Sequence, residues 1–231
     1  MTITVISTGA WNTAAAGNPT TPTPGTYVAG DILIYGTREF IGSDTISTPG
    51  GWSLLSTQSS ATQQNIFGLV SVGGDTIPSV TWAGQNNQSI IMAIRGASLT
   101  VNVAGDRKSS QSTSIIGPAG TLTPTVDGCI GIFFGGKNKT GTSDSTTFTA
   151  PSGWTKASQL IQGGIQSACC LCYQIQTTKT AVSANQVISG SVADSSGQSF
   201  ESAMIFLEPA SSIYVPTPPI AKGGMNVQVC M

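Results

Sequence analysis

The chain contains no histidine and few charged residues. Of its 231 residues only 8% are charged, with 9 Lys or Arg against 10 Asp or Glu, and the formal net charge is −1. Without histidine the chain lacks the commonest general base, the usual metal ligand and the base of a Ser-His-Asp triad. Sparse, balanced charge also argues against nucleic acid, which needs clustered Lys and Arg, and against a polybasic membrane contact. We therefore expect neither nucleic acid nor a membrane as a partner.

Long apolar runs and an even cysteine count are missing as well. No apolar stretch is long enough to span a bilayer, and Met1 to Ala10 does not resemble a signal peptide. An odd number of cysteines does not close a disulfide framework, so we expect reduced thiols and folding in a reducing compartment. Residues 169–173 align with residues 66–70, so the cysteines there are expected to replace apolar strand residues rather than bind metal. No cofactor is expected. The cysteines are Cys129, Cys169, Cys170, Cys172 and Cys230.

A repeated motif is the most informative feature that is present. Pro49-Gly50-Gly51-Trp52-Ser53 returns as Pro151-Ser152-Gly153-Trp154-Thr155, with the tryptophans 154 − 52 = 102 positions apart. Proline ends a strand, glycine accepts a positive φ, and the Trp that follows fixes which face the next strand buries. We interpret both tryptophans as core anchors, as a duplicated core requires; an exposed aromatic platform is the alternative. The predicted structural anchors are Pro49, Gly51, Trp52, Pro151, Gly153 and Trp154.

The strand pattern around the two motifs also recurs. Apolar runs such as Ile32 to Tyr35 and Cys129 to Phe134 precede each motif, and short strands with turn signals follow it. The order predicts an all-β fold, a jelly-roll-like sandwich built from an internal duplication over residues 1–208. Its halves span about 1–100 and 101–208, and two separate small sandwiches are the alternative. Arg107-Lys108 and Lys137 with Lys139 are expected in solvated loops, with subunit contacts as the alternative.

Residues 209–231 differ in character and are predicted to form an extended C-terminal arm. Prolines at positions 216, 218 and 219 favour an extended, polyproline-like path, and a Gly-Gly pair at 223–224 is a hinge. We expect the arm to dock on a neighbouring subunit by strand addition, with packing on its own sandwich as the alternative. The candidate contact residues are Ile213, Tyr214, Val215, Val227 and Val229.

Three segments in order carry a family resemblance: residues 29–34 (Ala-Gly-Asp-Ile-Leu-Ile), residues 49–55 around Trp52, and residues 93–97, which contain Arg95-Gly96. Together they resemble a group of bacteriophage virion proteins, found among tail and capsid-decorating components, with related bacterial surface proteins. The resemblance covers most of residues 27–97 and, more weakly, 124–208. In the second half Lys156-Ala157 replaces the Leu pair and Leu207-Glu208 stands where Arg95-Gly96 was. The resemblance implies a virion β-sandwich without catalytic residues.

No catalytic constellation is evident. The carboxylate pairs that could support glycoside hydrolysis, Glu39 with Asp44 and Asp144 with Asp194, lie in no recognisable motif. We therefore expect a non-enzymatic virion protein, assembled in the host cytoplasm, that decorates the capsid or forms part of a tail or spike. Its expected partners are capsid or tail subunits and further copies of itself. The alternative is a carbohydrate-binding, receptor-binding module in which Trp11 or Trp82 stacks on a host surface glycan.

Overall fold

A computed structural model describes residues 2–16, 22, 24–39, 46–59, 63–77, 85–110, 114–118, 120–138, 147–162, 167–189 and 199–211. Regular structure in these ranges consists of β-strands, which confirms the predicted all-β class. Within the same ranges no helix is long and apolar enough to cross a membrane. The arm residues 213–215, 227 and 229 lie outside the described part, as do Lys139 and the strand predicted near Trp82.

The strands form two sheets and a short ribbon, and every pairing is antiparallel. The first sheet consists of β1 (Thr4–Thr8), β2 (Asn12–Ala16), β3 (Ile32–Arg38), β4 (Ser53–Ser59), β5 (Gln63–Val70) and β6 (Gln85–Arg95). The second sheet consists of β7 (Ala97–Ser110), β9 (Ile130–Asn138), β10 (Thr155–Gln162), β11 (Ser167–Ile175) and β13 (Ser199–Pro209). The ribbon pairs β8 (Ile115–Ile116) with β12 (Val187–Ile188).

The two sheets have the same strand order. The first runs β1-β6-β3-β5-β4, with β2 also paired to β6, and the second runs β7-β13-β9-β11-β10. Chain order therefore maps one sheet onto the other, with β3 matching β9 and β6 matching β13. The sandwich is confirmed, but the jelly-roll connectivity is not. A jelly roll distributes the strands of each half over both sheets, whereas here the chain passes from the first sheet to the second at Gly96.

Three apolar clusters explain why the central strands read as continuous apolar runs. The middle cluster lies between the sheets and contains Ile32 and Ile34 of β3 together with Ile130 and Ile132 of β9. The other two cover the outer faces of the first and second sheets. Because both faces of each sheet are covered, all seven residues of β3 are buried. The sandwich is a block of three cores rather than one.

Strand β7 was not predicted, although Leu99, Val101 and Val103 alternate along it. Leu99 and Val101 pack against the middle cluster, whereas Val103 packs against the outer cluster of the second sheet. A register shift on β13 between the partners of Val101 and Val103 causes this change of face. The loop prediction for the described basic residues was wrong, because residues 107–108 lie in β7 and residue 137 lies in β9.

Candidate functional site

The two Pro-x-Gly-Trp corners adopt the same turn. In each, the Trp N–H donates to the proline carbonyl three residues earlier at 3.0 Å, from Trp52 to Pro49 and from Trp154 to Pro151. The residue before each Trp has a left-handed φ, 82° at Gly51 and 79° at Gly153. This is the geometry of a type II turn, which requires glycine at its third position. The repeated glycine is therefore explained by backbone conformation.

Both tryptophans pack on the outer face of their own sheet. Trp52 is 7% exposed and lies 5.7 Å from the ring of Tyr35, while Trp154 is 8% exposed and lies 5.9 Å from Phe133. Tyr35 lies three residues after the start of β3, and Phe133 lies three residues after the start of β9, so the two tryptophans contact matching positions. Burial raises the pKa of Tyr35 to about 12, with Ser89 acting in the opposite direction. These placements are those of core anchors, and they leave little indole surface for a ligand.

The strand after each corner carries a bulge at the same place. The register of β4 on β5 shifts between Leu54 and Ser56, and the register of β10 on β11 shifts between Lys156 and Ser158. The residues without a partner in these registers are Leu55 and Ala157. Lys156-Ala157 therefore occupies the positions that Leu54-Leu55 occupies in the first half.

The same registers correct the predicted cysteine alignment by two residues. Leu54 pairs with Phe67 where Lys156 pairs with Cys172, so the position of Phe67 is taken by Cys172 rather than Cys170.

At one end of the sandwich, Asp31 and Arg95 form a two-point ion pair. Arg95 Nε donates to one carboxylate oxygen of Asp31 at 2.8 Å and Nη2 donates to the other at 2.9 Å. The Val28 backbone N–H also donates to Asp31 at 2.9 Å, which is the turn chemistry expected at a strand entry. Hydrogen bonding from Arg95 is the main reason that the pKa of Asp31 lies below its ordinary value of 3.8. The ion pair thus brings together Gly30-Asp31 and Arg95-Gly96, two segments that are far apart in the sequence.

The matched positions of the second half carry neither member of this pair. Cys129 precedes β9 as Asp31 precedes β3, and Ile130 pairs with Leu207 where Ile32 pairs with Ile94. Leu207 therefore matches Ile94 and Glu208 matches Arg95, so the predicted placement of Leu207-Glu208 on Arg95-Gly96 was wrong by one residue. Burial is the main cause that raises the pKa of Cys129, and the charge of Glu208 adds to it. Cys129 and Glu208 therefore stand where the first half has the Asp31–Arg95 ion pair.

A second ion pair lies inside the sandwich and joins the two sheets. Arg38 of β3 donates to one oxygen of Glu201 of β13, from Nε at 3.2 Å and from Nη2 at 2.8 Å. Both side chains are 0% exposed. Gln88 of β6 accepts from Arg38 Nη1 at 3.5 Å and from the Cys169 thiol at 3.4 Å. Since β3 and β13 belong to different sheets, this cluster ties the halves together.

The guanidinium fits because the opposite strand has a glycine. A Cβ added to Gly136 of β9 would lie 2.2 Å from Arg38 Cδ and 2.4 Å from its Nε. Gly136 occupies in β9 the place that Arg38 occupies in β3, six residues after the first strand residue. One half therefore supplies the long side chain and the other supplies the space for it. Sequence reasoning missed this pair, although Arg38 follows an apolar run and Glu201 precedes one.

Comparisons with known proteins identify no relative. No protein-family model matches the chain. No curated protein and no solved structure matches it either.

The remaining predicted residues do not converge. Trp11 stacks on Phe134 with ring centres 6.0 Å apart, and its indole N–H donates to Ser158 at 2.9 Å. Glu39 is buried, while Asp44, Asp144 and Asp194 lie outside the described residues, as does Trp82. The structure therefore brings neither predicted carboxylate pair together among the residues it describes.

The described cysteines are buried free thiols. The sulfur atoms of Cys170 and Cys172 are 3.7 Å apart on one face of β11, and this contact, followed by burial, raises the pKa of Cys170. Protonated, buried thiols are poor nucleophiles. Within the described ranges no group of three or more cysteine or acidic side chains is placed to hold a metal ion.

Proposed function

We propose that this chain is a non-enzymatic structural protein of a bacteriophage virion, which decorates the capsid or forms part of a tail or spike. The observation that carries the proposal is the meeting of Asp31 with Arg95. Those residues belong to the first and last segments of the virion-type pattern, and their ion pair gives a physical reason why the segments occur together. In the second half, where the pattern is weaker, both partners are replaced.

The architecture supports a role as a building block. Each sheet is covered on both faces, and the two are joined by an apolar core and a buried ion pair between Arg38 and Glu201. A block of this kind holds its shape while its edges and loops contact neighbours, and many copies in one particle multiply weak contacts into firm attachment. Partners would be capsid or tail subunits and further copies of this chain.

We also propose that the two halves arose by internal duplication. Matched strand order, matched type II turns and matched bulges support this origin. On this proposal, equivalent positions took different roles once two copies shared one core: Asp31 and Arg95 pair in the first half alone, and Arg38 lies opposite Gly136.

The direct test is co-sedimentation with particles from a lysate. We expect this chain to band with particles in a density gradient at a fixed ratio to the major capsid protein. A ratio near or above one per capsid subunit indicates shell decoration, and a much lower fixed ratio indicates a tail or spike. Absence from the particle band overturns the proposal and favours the carbohydrate-binding module, which a glycan array then tests.

A further inference from the structure

The end of the sandwich that carries Asp31 and Arg95 also carries exposed apolar side chains. In the first half Val28 is 54% exposed, Val70 is 48% exposed and Val72 is 78% exposed. Between the turn at residues 28–31 and the crossover at residues 95–97 lies an open cleft of about 300 Å³. Its floor carries a charge pair that is already neutralised, so the cleft suits an uncharged, apolar occupant.

The second half keeps the exposed apolar character at matched positions. Ile175 pairs with the first residue of β9 as Val70 pairs with the first residue of β3, and Ile175 is 41% exposed. Val126 precedes β9 by four residues, as Val28 precedes β3, and it is 36% exposed. Two positions, those of Val28 and Val70, thus carry an exposed valine or isoleucine in the first half and again in the second half. This repeated exposure marks this end of the sandwich as a contact surface.

The chain itself leaves the sandwich through this cleft. Ala210 lines the cleft, and its N–H donates to the Gly96 carbonyl at 2.8 Å, which extends the pairing of β13 with β7 beyond Pro209 and Ala97. Ile213, Tyr214 and Val215 follow within a few residues. At about 3.3 Å per residue the first of them can lie no more than roughly 10 Å from Ala210, which itself lines the cleft.

The segment after Ala210 has the chemistry that the cleft requires. Residues 211–221 contain no charged side chain, and residues 213–215 form an apolar triplet. Prolines at 216, 218 and 219 have no N–H to donate, so strand pairing cannot continue far past Val215. Being tethered at Ala210, the triplet has an effective concentration in the millimolar range at its own cleft.

We infer that residues 213–215 bind in the cleft of their own chain, against Val28. This contact anchors the root of the arm and sets the direction in which residues 216–231 leave towards a partner. The inference concerns one copy of the chain and stands whether or not the virion proposal is correct.

Limited chymotrypsin digestion of the full chain tests the inference. Cleavage after Tyr214, followed by mass spectrometry, should be slow in the wild type and roughly tenfold faster in Val28→Asp, because burial of one such apolar contact changes the docked population by about that factor. Val187→Asp is the matched control, since Val187 is 38% exposed on β12 and does not line the cleft, and its rate should equal that of the wild type.

A variant in the arm and a dilution series complete the test. Ile213→Asp should accelerate cleavage as Val28→Asp does, and the double variant should add nothing further. Protection should not change on hundredfold dilution. Equal rates in the wild type and Val28→Asp overturn the inference. Protection that is lost on dilution also overturns it, because it assigns the cleft to the arm of a second copy.

Discussion

Breaking the ion pair between Arg38 and Glu201 should destabilise the protein more than breaking the pair between Asp31 and Arg95. Glu201→Gln keeps the shape of the side chain but removes the carboxylate charge that faces the Arg38 guanidinium, at a site where both side chains are 0% exposed. Breaking a buried ion pair by removing one partner costs about 3–5 kcal/mol. Domains typically have about 5–15 kcal/mol of stability, so the loss would be a large share of it.

The assay is equilibrium unfolding in urea, which carries no charge and does not screen the pair, followed by the fluorescence of the buried tryptophans. Arg38→Met should cost a similar free energy of unfolding. The double variant Arg38→Met with Glu201→Leu should lie close to the wild type, since a buried pair replaced by apolar residues is often neutral. With Glu201→Leu measured alone to close the cycle, the difference from additivity measures the coupling between the two residues.

Arg95→Gln is the matched control, because its pair is also two-pointed but the Arg95 side chain is 49% exposed. Arg95→Gln should lower the free energy of unfolding much less than Glu201→Gln does, and the difference from the wild type should shrink further when salt is added. The reasoning is refuted if Glu201→Gln costs no more than Arg95→Gln, or if Arg38→Met and Glu201→Leu add independently.

Three further predictions follow from the described geometry. Gly51→Ala should cost about 1–2 kcal/mol in urea unfolding because its φ is 82°, whereas Gly50→Ala, with open space around its Cβ, should leave stability almost unchanged. Because the folded pKa of Asp31 is below its ordinary 3.8, the stability from Asp31 is present above about pH 4 and lost as pH falls through the folded pKa; Asp31→Asn should abolish that part of the pH dependence. A thiol reagent should leave four cysteines unmodified in the folded chain and reach them after unfolding, and early modification of any would contradict their burial: Cys129, Cys169, Cys170 and Cys172.

The sequence predicted those elements whose signals are local. Continuous apolar runs marked β3, β9 and β13 because both faces of each sheet are buried, and Pro-x-Gly-Trp marked the corners because a type II turn demands glycine before the Trp. Strand β7 was missed because the alternation of Leu99, Val101 and Val103 is short, and the strand continues through the charged and polar residues 106–110, which read as a loop. Element boundaries differed by a few residues, since bulges and frayed ends leave no compositional mark.

The candidate sites were harder to predict because they depend on which sheet faces which. Arg38 and Glu201 are 163 positions apart, and nothing local indicates that they meet. Gly136 is a strand residue whose lack of a side chain leaves room for the guanidinium, and nothing in the neighbouring sequence indicates that role. The hydrogen bond of Asp31 to the Val28 N–H is local turn chemistry, whereas its ion pair with Arg95, 64 positions away, depends on the fold.

The passage of the chain between sheets at Gly96 has a consequence for synthesis. All strands of the first sheet lie before Gly96, and the last strand of the second sheet ends at Pro209, which is 209 − 95 = 114 residues after Arg95. At about 5–20 residues per second, the ribosome needs roughly 6–23 s to supply that second sheet. During this interval Ile32, Ile34 and their neighbours form an apolar surface without a partner sheet. How long this apolar surface of the nascent chain stays uncovered therefore depends on how fast the second half is synthesised.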